Sequence, residues 1–305
     1  MPDAPPGTYK DQVVLGMLAA VGAFLMFTLM NVFAKLLAVR HSVVEIAFYR
    51  NLVAFLPFLF IAFALGRREM LVIRSKPGLV VGRAILGTLS LTTTFYAYSL
   101  MPLADTTAFL FASSLIVPVL GIFFLQEEVG IWRWSAIVVG FLGVLIMIRP
   151  TGAVNALGVA VALTATTMHA VLQTILRHIG KFERPETVTF YFFLIGIVIT
   201  AIPLPFIAVR PTPHEIPWLL GVGASGAAAQ FLLSTAFSNA PAAIVTIFNY
   251  SGIVWATLFG WLIWDEWPLP LVVLGGTIVV VANLLIVWRE SRLRKLTGER
   301  ARAKL

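Results

Sequence analysis

Three cationic side chains interrupt otherwise apolar stretches of this 305-residue chain: Lys35, Arg50 and Arg83. A charge at mid-bilayer costs about 2.5–3.5 kcal/mol on insertion scales, so each needs a reason to be there. Arg50 lies about 10 Å past the start of its apolar run at Val43, at 1.5 Å per residue, which is deep for snorkelling. A guanidinium at that depth offers a two-pronged hydrogen bond to a carboxylate or phosphate. The competing reading is a structural pair with a helix C-terminus across the bundle or with Glu45, which at five residues' spacing is poorly aligned on the helix face.

His169 is the one imidazole at mid-depth, flanked by Thr164, Thr166, Thr167 and Gln173. Gln173, four residues on, shares its helical face, and Asn31 falls near the matching depth of the first run, which suggests a polar stripe facing a cavity. Asn249, Tyr250 and Gln230 extend that stripe in the second half; Tyr96, Tyr98 and Trp255 are candidates for an aromatic lining, with an interfacial belt as the bland reading of the first two. Lys35, Glu127 and Glu266 sit at run ends, as gate or interface residues. Interfacial anchoring suits Lys35, and each glutamate would cap the following helix or, for Glu127, pair with Arg133.

The elements that must position these groups follow from composition. The chain is 59% hydrophobic and 12% charged with mean hydropathy +0.94, against roughly 25% charge in soluble domains. That excludes a soluble globular protein. A net charge of +8 would fit a nucleic-acid partner, but the basic residues lie in short connections and at the C-terminus, the membrane-protein pattern, so the expected partners are a lipid bilayer and a small molecule, with no nucleic acid. A monomer is plausible, the oligomeric state being otherwise unspecified. Zero cysteines exclude disulfides and Cys-ligated metal.

A helical span needs about 20 apolar residues. Ten runs meet this, at about 12–38, 43–65, 78–100, 103–125, 131–149, 156–178, 186–208, 215–238, 242–264 and 269–288. With both termini on the cytoplasmic side, sixteen Lys and Arg fall inside against three outside, Arg40, Arg149 and Arg210. Shifting the sequence by 142 and then 139 residues superposes Phe48-Tyr49 on Phe190-Tyr191, Pro102 on Pro241 and Glu127 on Glu266. Each copy holds five spans, an odd number, so the second would enter the membrane inverted, as in alternating-access carriers. The expected division is 1–152 for the first five-helix repeat, 153–290 for the second, and 291–305 for a basic cytoplasmic tail.

Chemistry beyond binding finds little support. There is no P-loop, HExxH or Gly-x-Ser-x-Gly, and His41, His169, His178 and His214 lie on separate segments without metal-ligand spacing, so no catalytic residue, cofactor or metal is expected. An intramembrane enzyme would need clustered His, Asp or Glu at one depth. No Asp or Glu falls at the middle of any run, which argues against ion coupling.

Five segments carry a family resemblance: Ala47-Phe48-Tyr49-Arg50, Ser99 through Ala108, Phe124 through Val129, Gly140 through Pro150, and Asp265-Glu266 with Gly275-Gly276. Together they resemble the drug/metabolite transporter superfamily, in particular its ten-helix EamA-type members. The resemblance implies a secondary transporter of small organic metabolites in a bacterial inner membrane, with broad amino-acid exporters as one comparison. Asn31 through Lys35 to Arg50 is also similar to bacterial S-adenosylmethionine uptake carriers, which implies uptake of a nucleotide- or vitamin-like metabolite as the alternative.

Overall fold

The computed structural model describes residues 6–125, 131–148, 155–180, 182–240 and 242–302, and every regular element among them is helical. The first half contributes α1 (Pro6–Leu37), α2 (Val43–Phe63), a 3-10 turn at Arg68–Leu71, α3 (Pro77–Leu100), α4 (Leu103–Phe111), α5 (Ser113–Leu125) and α6 (Ile131–Ile148). The second contributes α7 (Ala156–Ile179), α8 (Pro185–Ala201), α9 (Leu204–Ile207), α10 (Ile216–Asn239), α11 (Ala242–Asn249), α12 (Ser251–Trp264) and α13 (Pro270–Arg302). Seven stretches are long and apolar enough to cross a membrane, and three shorter apolar helices accompany them. The chain is an all-α integral membrane protein.

Local chemistry sets the helix starts. Ser42 accepts the Glu45 amide at 3.2 Å to cap α2, and Asn155 accepts the Leu157 and Gly158 amides to cap α7. Proline, whose missing N–H would be unsatisfied in a first turn anyway, opens α3, α8 and α10.

The runs expected to cross at 103–125 and 242–264 are each two helices rather than one. At Ala112 and Tyr250 the amide reaches back three residues, to Phe109 O at 3.0 Å and Ile247 O at 3.2 Å, so the turn tightens. In both places a serine hydroxyl takes up a nearby carbonyl: Ser114 donates to Phe111 O at 2.6 Å and Ser251 to Phe248 O at 2.7 Å. Away from water a freed carbonyl needs such a donor, and Thr166 of α7 supplies another to Phe109 O at 3.0 Å. Helix α13 continues to Arg302 through the basic stretch that begins after residue 290, where Arg, Glu, Leu and Lys are good helix formers and no proline intervenes.

Packing follows a reciprocal scheme. α1 lies on α10 and α3 on α7; α2 contacts α10 and α3 contacts α8; α1 touches α11 and α12 while α7 touches α4 and α5; α2 meets α8, and α6 meets α13. The α6–α13 contact is backbone to backbone, since a Cβ built on Gly275 would stand 2.3 Å from the Gly143 carbonyl oxygen. Only glycine permits that approach.

At the end where α1 begins, the near end, Glu183 accepts the amides of Arg74 (3.0 Å), Ser75 (2.7 Å) and Lys76 (3.4 Å). These bonds, led by that of Arg74, hold its carboxyl below the usual carboxylate range. Arg184 pairs with Glu69 beside it. At the opposite, far end, buried His41 lies 3.0 Å from Glu45 and 3.4 Å from Glu215, and Glu215 also takes Arg40 at 3.2 Å and the Thr212 hydroxyl at 2.6 Å. Each staple joins two inter-helix connections.

Candidate functional site

Helix α3 carries the spine of the site. Arg83, Gly87, Ser90, Thr94 and Tyr98 recur at spacings of four, three, four and four, which places them on one face. The outward stripe is Ile85, Leu89 and Tyr96, all exposed. Tyr96 therefore stands apart from the interior groups it was expected to join. On the inner stripe, Tyr98 OH meets Thr107 at 3.1 Å and accepts Asn31 Nδ2 at 3.2 Å, linking α1, α3 and α4. One turn along, Thr94 lies 3.4 Å from His169 Nε2, and one turn further on α7 the Gln173 amide donates to Ser113 at 3.4 Å. Asn31, Tyr98, His169 and Gln173 thus belong to a polar seam between the halves.

Arg50 enters from α2 and is 2% exposed. Its guanidinium faces the rings of Phe193 at 5.1 Å and Phe192 at 5.4 Å, and Nη1 donates to Asn51 Oδ1 at 2.9 Å. Aromatic faces stabilise a desolvated cation by about 2 kcal/mol. Nε has no hydrogen-bond partner among the described residues. Space for this group exists because residue 226 of α10 is glycine, where a Cβ would lie 3.2 Å from Arg50 Nε. The pairing with Glu45 weighed from the sequence is absent: Glu45 is engaged by His41 and by the Val209 amide at 3.3 Å.

Arg83 was recognised in sequence only as a cation within a span. It reaches the same Phe192 ring at 4.5 Å, with buried Nε and Nη1 lacking hydrogen-bond partners among the described residues. The four-three-four-four spacing on α3 was the signal that would have placed it with Thr94 and Tyr98.

The far end of the seam is closed by an ion pair. Lys35 Nζ contacts both Glu266 oxygens at 2.7 Å, the Met101 carbonyl at 3.0 Å and the Trp264 ring at 4.9 Å; Glu266 also receives the Leu103 amide at 3.4 Å. Neither the interfacial anchor expected of Lys35 nor the cap of the following helix expected of Glu266 describes this. Glu266 is aimed inward because Asp265 ends α12 in the left-handed conformation (φ 55°), with the Glu266 amide returning to Gly260 O and the Asp265 amide to Trp261 O. The pair ties α1 and the start of α4 to the end of α12.

Other expected residues lie elsewhere. Tyr250 is buried edge-on to Phe111 at 5.2 Å, and it borders a cleft of about 720 Å³ formed with α12 and α13, away from Arg50. Trp255 is half-buried with its indole N–H unpartnered, while Gln230 and Asn249 are half-buried. Glu127 lies outside the described residues.

Comparison with known proteins fits this architecture. The chain is similar to the pseudopaline exporter CntI of Pseudomonas aeruginosa, 29% identical over 281 residues covering 90% of this chain and 97% of that protein. It is 27% identical over 266 residues to an S-adenosylmethionine uptake transporter of Rickettsia bellii, covering 86% of this chain and 89% of the relative. A crystal structure superposes with a TM-score of 0.62 at 16% identity, over 93% of this chain and 99% of that one, and shares the fold. The model of the EamA-like transporter family matches residues 14–149 and again 156–288. On that match over almost its whole length, the chain belongs to the EamA-like transporter family.

Proposed function

We propose that this protein is a secondary carrier that moves small, carboxylate-bearing organic metabolites across a bacterial inner membrane by alternating access. The observation that carries the reading is Arg50: a fixed, deeply buried positive charge with aromatic faces around it and no acidic partner among the described residues. Such a charge is expensive unless a ligand's anion completes it. Asn31, Tyr98, His169 and Gln173 supply neutral hydrogen-bonding groups along the same seam, which suits an amino-acid-like substrate. Gln230, Asn249, Tyr250 and Trp255 complete the lining in other states of the cycle.

Two inverted five-helix repeats, 1–152 and 153–290, are the mechanical basis. The reciprocal helix contacts, the matching breaks at Ala112 and Tyr250, and the twofold family match support this. Both termini lie in the cytoplasm, so the Lys35–Glu266 pair closes the periplasmic side. Arg50 cannot cycle a proton at physiological pH. His169 could, but its described polar contact is the Thr94 hydroxyl, so hydrogen bonding without proton coupling is the reading adopted. Transport then runs down the substrate gradient, and export of amino-acid-like compounds is the direction favoured.

Uptake of S-adenosylmethionine is a second reading, favoured by the Rickettsia relative. Counterflow in proteoliposomes with amino acids, S-adenosylmethionine, riboflavin and nucleosides separates the two. Exchange of amino acids supports the first reading, exchange of S-adenosylmethionine alone supports the second, and exchange of none contradicts both.

A further inference from the structure

Arg50 and Arg83 approach one aromatic ring from two helices, and neither is ion-paired among the described residues. Their guanidinium carbons lie 5.4 Å and 4.5 Å from the Phe192 centroid. Arg50 Nε and Arg83 Nε and Nη1 are buried without hydrogen-bond partners, as are Asn51 Nδ2 and Ser90 Oγ on the same two helices. Among the described residues the glutamates in ion pairs are Glu45, Glu69, Glu215 and Glu266, none of them paired with either arginine. Glu183 is occupied by backbone amides. Gly87 lies one turn from Arg83 on the inner stripe, and a Cβ there would come 2.9 Å from Phe192, so the ring's position against α3 depends on the missing side chain.

Two like charges on one ring repel each other, and a single carboxylate, carrying one negative charge, leaves the pair with a net charge of +1. A buried donor left without an acceptor is penalised far more than a satisfied pair gains, so a site holding two such forks discriminates by charge count. We propose that Arg50 and Arg83 together form a two-cation pocket on Phe192 that takes a substrate with two anionic groups, one on each guanidinium. This rests on the carrier reading above and specifies its substrate class as organic acids with two carboxylates, including amino acids with an acidic side chain.

The test is thermal protection of the purified full-length chain by glutarate, with two carboxylates, and by glutaramate, its near-isosteric monoamide. Glutarate is expected to protect at concentrations about tenfold or more below glutaramate. Arg83→Gln should erase that ratio while keeping protection by glutaramate, and Arg83→Lys should keep the ratio. Equal protection of the wild type by the two compounds overturns the proposal without needing any variant. So does an unchanged ratio in Arg83→Gln. Either result leaves the carrier reading standing, since that reading is tested separately by counterflow.

Discussion

Buried charge is treated in opposite ways along a single helix. At the start of α2, Glu45 is fully buried yet matched by His41 and the Val209 amide, and Glu215 beside them gathers Arg40 and Thr212. Five residues further along, Arg50 is as deeply buried but has one neutral acceptor, Asn51, and two aromatic faces. The first arrangement sets opposite charges against each other within the protein, so it acts as a staple between connections. The second has no opposite charge beside it among the described residues, which is what the proposed recognition of a substrate anion requires. Opposite charge within reach, more than burial, separates the two arrangements.

The largest effect that would break this comparison is at Arg50. Arg50→Gln should remove about 2–5 kcal/mol of substrate binding, upwards of thirtyfold in affinity, with little loss of fold because no protein carboxylate is orphaned. Isothermal titration beside a melting curve measures both; a large melting loss with unchanged affinity would make Arg50 a second staple. Next comes the far-end closure. Lys35→Gln leaves Glu266 without its cation at a site about a quarter exposed, so the loss is below the 3–5 kcal/mol of a fully buried pair, about 1–2 kcal/mol. In this cysteine-free chain, thiol labelling of Ser90→Cys from the far side should rise severalfold in the Lys35→Gln background.

Gly226→Ala puts a methyl group against Arg50 Nε and the Met30 sulfur, and should weaken binding several-fold without touching the staple. The smallest effect is on the staple itself. The Thr212 hydroxyl, then its amide, hold the Glu215 carboxyl at about 2, below the unfolded value near 4.3. A depressed carboxylate stabilises the fold above its unfolded pKa, and that contribution is lost as pH falls through the folded one. The melting temperature of Glu215→Gln should therefore trail wild type by a few degrees at neutral pH, and the gap should close as pH falls from about 4.3 towards 2. A gap that widened on acidification would reverse the assignment.

The helical membrane architecture was legible because long apolar runs leave a chain few alternatives. The breaks at Ala112 and Tyr250 were not, since neither residue is a helix breaker and the signal lies in serines two and one positions later that take up nearby carbonyls. Arg50 could be flagged from depth alone. Its partners could not, because Phe192, Phe193 and Gly226 are more than 130 positions away, and residues of that kind recur throughout the apolar runs. The Lys35–Glu266 pair joins positions 231 apart, which no local spacing rule reaches. Arg83 was within reach through its stripe on α3, whereas the outward turn of Tyr96 two positions before Tyr98 follows from the same helical period.

The central claim is that an unpaired interior guanidinium makes this chain a carrier that requires a carboxylate. Counterflow in wild-type proteoliposomes, comparing acidic amino acids with analogues whose carboxylates are replaced by amides, addresses it most directly. The account predicts rapid exchange of the acids, negligible exchange of the fully amidated analogues, and no change in the equilibrium level when a pH gradient is imposed. Equal exchange of the amidated analogues would contradict it.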